Sequence, residues 1–302
     1  MKLININMNF GDINYYSKKE HEFLAQKIIN NKNKLNSYCE VDNFFVGYKI
    51  NNNEHLSKLY GFPIKIVDFY SANVKSIVKE KEFIKLQQLV ESLFNFMAQT
   101  KAYYTLRVPT NFGDLLRAFN MYSFKPLVCG GTVMFSSNYK EPLAEEYSLP
   151  PAFIADDNYV EKNKNILERI IKTSFNNYQS QYHISPILRE KASSIYQDWI
   201  SRSFTNQNEK IIVSEYNNTP VGIHSIAIRN NHIEGVLGAV DPNYRNKGVY
   251  KSIIQKAIIF SSNKAKDFVI GTQLDNFIVQ NQWARSGMKP FFSFYSLHCD
   301  FR

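Results

Sequence analysis

The run Val240-Asp-Pro-Asn-Tyr-Arg-Asn-Lys-Gly-Val-Tyr250 constrains the fold more than any other part of the chain. It follows an apolar stretch of strand length at 232–240. It precedes 247–262, where Val249, Ile253, Ile254, Ala257 and Ile258 recur at helical spacing. Pro242 has no N–H for a sheet ladder, so the strand must stop there. Gly248 has no side chain, and an anion can therefore approach the backbone closely. The first turn of a helix offers free N–H groups and the positive end of the helix dipole. Arg245 and Lys247 add charge beside it. The chain must form a strand, a turn and a helix, with room for a phosphate at the turn. An ordinary strand-to-helix turn also contains glycine, so the turn by itself leaves both readings open.

The surrounding pattern extends this unit. Helices are expected at 163–175 and 187–204, the second opened by Ser185-Pro186. Strands follow at 210–216, 221–228 and 232–240, then the helix at 247–262. A strand at 267–273, a helix at 277–286 stopped by Gly287, and a strand at 291–298 complete the order. The polar, proline-bearing segment 140–151 reads as a linker. Upstream, 103–108, 112–119 and 125–135 repeat the strand–helix–strand ending. Lys125-Pro126 and Lys289-Pro290 occupy matching places, 164 residues apart (289 − 125). The expectation is an α/β fold of two tandem domains with mixed central sheets flanked by helices. An N-terminal domain at 1–140 is the degenerate copy, 141–158 is the linker, and 159–302 is the catalytic domain.

Composition narrows the function classes. The formal charge of +9 over 302 residues favours anionic partners, although a Lys- and Asn-rich composition produces the same excess. Cys39, Cys129 and Cys299 have neither zinc-site nor disulfide-framework spacing, which suits a reducing compartment. No apolar run approaches the roughly 20 residues of a membrane span. The first residues alternate like a strand and lack a signal-peptide core. The expectation is a soluble cytoplasmic enzyme. No Walker loop is present, and Gly235 and Gly238 do not open a helix as a dinucleotide fingerprint would.

Val240-x-Pro-x-Tyr-Arg-x-Lys-Gly-Val resembles motif A of the GCN5-related N-acetyltransferases (GNAT), and the order of elements from 163 to 298 is similar to that fold. The resemblance implies acetyl-CoA as the acetyl donor. It places the pantetheine arm on the exposed backbone of Leu237, Gly238, Ala239 and Val240, with Gly238 suited to a bulge. It places the pyrophosphate on Arg245, Asn246, Lys247, Gly248, Val249 and Tyr250. Tyr250 stands where the family often has Gly or Ala. Asn276 and Asn281 would also contact the cofactor. Ser180-Gln-Tyr-His-Ile-Ser-Pro186 and 272–287 further resemble the dTDP-4-amino-4,6-dideoxygalactose (TDP-fucosamine) acetyltransferases of surface-polysaccharide synthesis. The acceptor implied is then an amino-sugar nucleotide, attacked directly in a ternary complex, with no nucleic-acid partner. A peptide or polyamine acceptor and a non-catalytic acyl-CoA-binding pseudoenzyme are the rivals. A homodimer could pair through the aromatic strand at 291–298.

Acetyl transfer needs a base for the acceptor amine and a way to accommodate the leaving thiolate. Glu234 on the cofactor-side strand is the candidate base, with a solvent-facing strand residue as its plain reading. His183 and His224 are alternatives, and a lone strand histidine such as His224 is ordinarily structural. Trp283 stands where many family members carry an acidic Tyr, and indole gives a thiolate no useful proton. Either Tyr295 or Tyr250 is then the candidate acid, or the thiolate leaves unaided and is protonated by water.

Overall fold

The computed structural model describes residues 3–5, 35–41, 44–72, 79–110, 112–122, 124–138, 149–176 and 178–302. In chain order the strands and helices of the first part are β1 (Leu3–Asn5), β2 (Ser37–Val41), β3 (Phe44–Asn52), α1 (Glu54–Tyr60), β4 (Ile64–Ala72), α2 (Glu80–Thr100), β5 (Tyr103–Pro109), α3 (Gly113–Asn120) and β6 (Leu127–Ser136). They continue as β7 (Ala152–Ala155), α4 (Asp157–Phe175), α5 (Gln181–Ile184), α6 (Ala192–Ser203), β8 (Glu209–Tyr216), β9 (Thr219–Ile228) and β10 (His232–Val240). The last are α7 (Val249–Ser262), β11 (Asp267–Gln273), α8 (Phe277–Arg285) and β12 (Lys289–Asp300).

Contacts divide the chain into two compact units. The first holds β1, the described residues of Ile13–Thr132, and Ser293–Arg302. The second holds those of Val133–Phe292. The last ten residues, assigned to the second half from the sequence, thus pack with the first. The segment expected as linker carries β7 and the start of α4. Its residues 141–148 lie outside those described.

In the first unit the strand order is β2-β3-β4-β5-β12. The β4–β5 pair is parallel from Ile64↔Tyr103 to Asp68↔Arg107, and the other pairs are antiparallel. Beyond Asp68, β4 continues without β5 as a partner. Helix α2 buries Phe83, Leu86, Val90, Leu93 and Met97, a 3–4 spacing that lays one apolar stripe on the sheet. Glu80 and Glu82 occupy its first turn, and Glu82 Oε2 accepts from Lys79 N–H at 2.7 Å. The sequence reading gave this half three elements. It missed the β2–β3–β4 meander and α2.

In the second unit the order is β6-β11-β10-β9-β8-β7. Only β10–β11 is parallel among the registers from β7 to β11. Asn217 and Asn218, both at positive φ (50° and 58°), make the two-residue β8–β9 turn, a role for which asparagine is tolerated. Helix α4 begins six residues before the apolar period does, because Asp156 caps it by accepting from Tyr159 N–H at 2.7 Å. The helix expected at 187–204 begins later, as α6 at Ala192 after a short 3-10 turn at Arg189–Lys191, and α5 lies on the other side of Pro186. Core residues Ile226, Ile233, Val249, Ile253, Phe268 and Trp283 pack between sheet and helices.

The repeat seen in the sequence recurs as structure. Residues Tyr103 and Gly113 open β5 and α3, and Asp267 and Phe277 open β11 and α8, each pair 164 residues apart (267 − 103; 277 − 113). Among the described residues no helix is long and apolar enough to cross a membrane.

Burial also sets a pH dependence. His232 is 1% exposed, neither ring nitrogen has a hydrogen-bond partner among the described residues, and desolvation, helped by Arg229 and Lys266, lowers its pKa from 6.5 to about 4. The unfolded chain then binds more protons than the folded one between these values. Stability is full above pH 6.5 and declines as pH falls towards 4. The urea midpoint should fall over that window, and His232→Leu should make the fall shallower.

Candidate active site

The site is built on a fork between two parallel strands. Pairing of β10 with β11 runs from His232↔Asp267 to Gly235↔Ile270 and stops there. Both strands go on, β10 to Val240 and β11 to Gln273. A bulge lies between Gly235 and Leu237, so Val236 is the extra residue and β10 bends away from β11 while keeping its ladder with β9. The sequence reading placed this bulge at Gly238. Gly238 has a different reason to be glycine. It faces His224 across the β9–β10 ladder, and a Cβ there would stand 1.9 Å from His224 Nδ1.

The open edge of β10 can be followed from one bond. Asp241 N–H donates to Val221 O at 2.8 Å. By strict alternation, Ala239 and Leu237 also turn their backbone groups to β9, while Gly238 and Val240 turn theirs into the fork. Val240 O already accepts from Ser174 Oγ at 3.1 Å. Gly238 keeps an N–H and a C=O directed into the fork.

The turn follows directly. Asp241 accepts from Asn243 N–H, and Pro242 opens a 3-10 turn. Asn246 (φ 61°) and Gly248 (φ 79°) are both left-handed. Gly248 caps α7, a 14-residue helix, without a side-chain hydrogen bond, and Leu149 and Pro150 lie beside it, 2.9 and 3.4 Å from where a Cβ would stand. Arg245 and Asn246 are exposed. Lys247 is placed differently from the expectation: its Nζ rests over the rings of Tyr244 (4.8 Å) and Tyr216 (5.6 Å). The anion-binding character of the turn therefore comes mainly from backbone N–H groups.

Tyr250 does not crowd this turn. Its side chain points into the core, and its hydroxyl accepts from Trp283 Nε1 at 3.2 Å. Burial raises its pKa. Trp283 is 1% exposed and meets Phe135 edge-on, so it ties α7 to α8. On the β11 side, Asn276 caps α8 by accepting from Val279 N–H and donates to Thr272 Oγ1 at 2.9 Å. Asn281 is exposed on α8.

The candidate bases are held apart by different partners. Glu234, 7% exposed, receives Arg229 Nε at 2.8 Å and Nη2 at 2.7 Å on one oxygen. It lies one residue before the last paired position of the fork. His183 bonds Ser180 Oγ through Nδ1 at 2.9 Å and stacks parallel to Tyr196 at 6.2 Å; burial lowers its pKa. Tyr295 belongs to the first unit, opposite Val108. Tyr178 escaped the sequence reading because it sits in a connection with no periodicity. It hydrogen-bonds Thr272 and Asn276, and burial raises its pKa. Among the described residues no cluster could hold a metal ion.

Comparison with known proteins agrees with this geometry. Residues 171–288 match the model of the acetyltransferase (GNAT) family. No curated protein matches the chain. Among solved structures, a functionally unknown conserved protein from Staphylococcus epidermidis is similar at 14% identity and a TM-score of 0.52, covering 87% of this chain and 94% of its own. A GCN5-related N-acetyltransferase from Sphaerobacter thermophilus matches at 10% identity and 0.52, covering 92% and 86%. One from Kribbella flavida matches at 9% and 0.51, covering 92% and 94%. These likenesses concern the fold. With the family match, they indicate a GNAT-type acetyltransferase domain within the second unit.

The contact of Gly238 with His224 is testable. Gly238→Ala should destabilise the fold by about 1–3 kcal/mol through overpacking. Adding His224→Ala should recover most of that loss in a double-mutant cycle followed by urea denaturation.

Proposed function

We propose that this acyl-CoA-dependent N-acetyltransferase takes its acetyl group from acetyl-CoA held in the β10–β11 fork and gives it to the amine of an amino-sugar nucleotide. The observation that carries the reading is the fork opening onto an uncapped helix start. The residues suit the cofactor. Gly238 offers the pantetheine amides a free backbone donor and acceptor. The N–H groups from Gly248 to Tyr250 suit a pyrophosphate. Arg245 adds an exposed charge. When bound, the cofactor supplies an activated thioester and nothing else is asked of it.

The chain's own residues do the rest. The acceptor amine is mostly protonated near neutral pH and must lose a proton before attack. Glu234 is assigned as the base, through water, with Arg229 fixing its carboxylate in place. Fork and turn hold the thioester carbonyl for direct attack in a ternary complex. The amino-sugar nucleotide acceptor rests on the likeness of 180–186 and 272–287 to the TDP-fucosamine acetyltransferases, and the charge of +9 suits a diphosphate. Surface-polysaccharide synthesis is the role that goes with such an acceptor.

Calorimetry with acetyl-CoA, followed by thiol release with dTDP-amino sugars, polyamines and peptides, tests the whole reading. One cofactor per chain and turnover with the amino sugars are expected. Tight binding without turnover on any acceptor would instead indicate a pseudoenzyme. Arg245→Glu should raise the acetyl-CoA Kd by about tenfold, since one exposed charge near a helix start contributes up to about 1 kcal/mol and its reversal doubles the effect. Glu234→Gln should lower kcat by about 100-fold or more while leaving the acetyl-CoA Kd unchanged.

A further inference from the structure

One side chain at the fork has chemistry but no partner. His224 is 2% exposed, and neither Nδ1 nor Nε2 meets a hydrogen-bond partner among the described residues. Its ring lies along β10. A Cβ at Gly238 would fall 1.9 Å from Nδ1, and a Cβ at Gly235 would fall 2.8 Å from Nε2. The two glycines thus leave a slot with room for the ring, Gly235 sharing its space with Ile270, whose Cδ1 a Cβ there would meet at 2.7 Å, and the bulge at Val236 lies between them. Gly235 is the last residue paired with β11, so the slot spans the apex of the fork. The ring lies on the α7 side of the sheet, 6.4 Å from the Tyr250 ring and 6.3 Å from that of Phe268. Packing alone would be served by an apolar ring. An imidazole always carries at least one N–H, and burying that donor unmatched is costly.

We infer that His224 donates a hydrogen bond to the sulfur of the leaving thiolate at the apex of the β10–β11 fork. The inference rests on the acetyl-CoA reading above and supplies the role for which Trp283 is unsuited. The acceptor nitrogen forms the C–N bond with its lone pair. The C–S bond breaks, and its electron pair stays on sulfur. The nitrogen loses one proton before attack and a second once the C–N bond has formed; both leave through water, with Glu234 as the base that passes them to solvent. His224 keeps its own proton throughout, and solvent later protonates the released thiolate. Desolvation lowers the His224 pKa to about 4, so the ring is neutral at working pH and acts as a hydrogen-bond donor, not as a proton donor. A fixed dipole in a site closed to water stabilises developing charge without reorganising. Tyr250 is the titratable side chain facing the ring, and its raised pKa keeps it neutral as well.

The test uses the full chain with acetyl-CoA and free coenzyme A. His224→Phe keeps a flat ring in the slot and removes both nitrogens. It should lower kcat by about 10- to 100-fold, the range for a hydrogen bond to a charged group, with the coenzyme A Kd unchanged. The pKa of the bound coenzyme A thiol, followed by thiolate absorbance, should rise by about one unit or more. His224→Gln, which keeps an N–H, should restore much of both. Unchanged thiol titration in His224→Phe would overturn the inference, even if kcat fell. Should that variant fail to fold, the nitrogen-15 resonances of His224 in the native protein decide. A shift when thiolate binds supports the bond, and no shift excludes it. If the native protein takes up no coenzyme A at all, the cofactor reading fails, and that is evident before any variant is made.

Discussion

The end of pairing between β10 and β11 is the constraint on which the second unit depends. Two parallel strands normally satisfy each other's backbone along their common length. Here four residue pairs suffice, and the bulge at Val236 turns β10 aside. The groups beyond the bulge must then find other partners, because unmatched buried backbone is costly. Val240 O finds Ser174, while the alternation of the ladder turns the backbone groups of the half-buried Gly238 away from β9. The helix start at Gly248 has the same character. Function follows from where the fold stops satisfying itself.

Side chains around the fork are chosen for what they leave open. Gly238 and Gly235 make way for His224, and Gly222 makes way for Val249 and Ile253, whose atoms a Cβ there would meet at 2.6 and 2.8 Å. Tyr250 and Trp283 form a coupled pair, one hydroxyl accepting from one indole. The tyrosine at 250 therefore costs the turn no space, and its partner closes the interior between α7 and α8.

Much of the second unit was legible in the sequence because its signals are local. Pro242 ends a strand, Gly248 begins a helix, and the apolar spacing of α7 is unambiguous. Strand boundaries from β8 to β11 came within two residues. What was not legible depends on distant partners. β7 is four residues long and exists only through β8. The bulge was placed at the wrong glycine because spacing cannot show that His224 lies across Gly238. The pairing of Glu234 with Arg229 depends on how the β9–β10 connection folds back, and Lys247 turns to Tyr216 at the end of β8. Tyr178 carries no periodic signal at all. The membership of 293–302 in the first unit reflects strand pairing with β5, which no local pattern encodes.

The first unit also has a parallel pair that ends early, at Asp68↔Arg107, but there β1 pairs with β4 from Tyr70 to Ala72 while β3 keeps the other edge. The helix that follows it starts with Glu80 and Glu82, not with an uncapped glycine turn. Strand register and helix-start chemistry are thus encoded by different residues. After a duplication, the first can persist for as long as folding requires it. The second is free to drift within a few substitutions. A chain of this kind can therefore carry two parallel pairs that part early while only one of them leads to a helix that starts on a glycine.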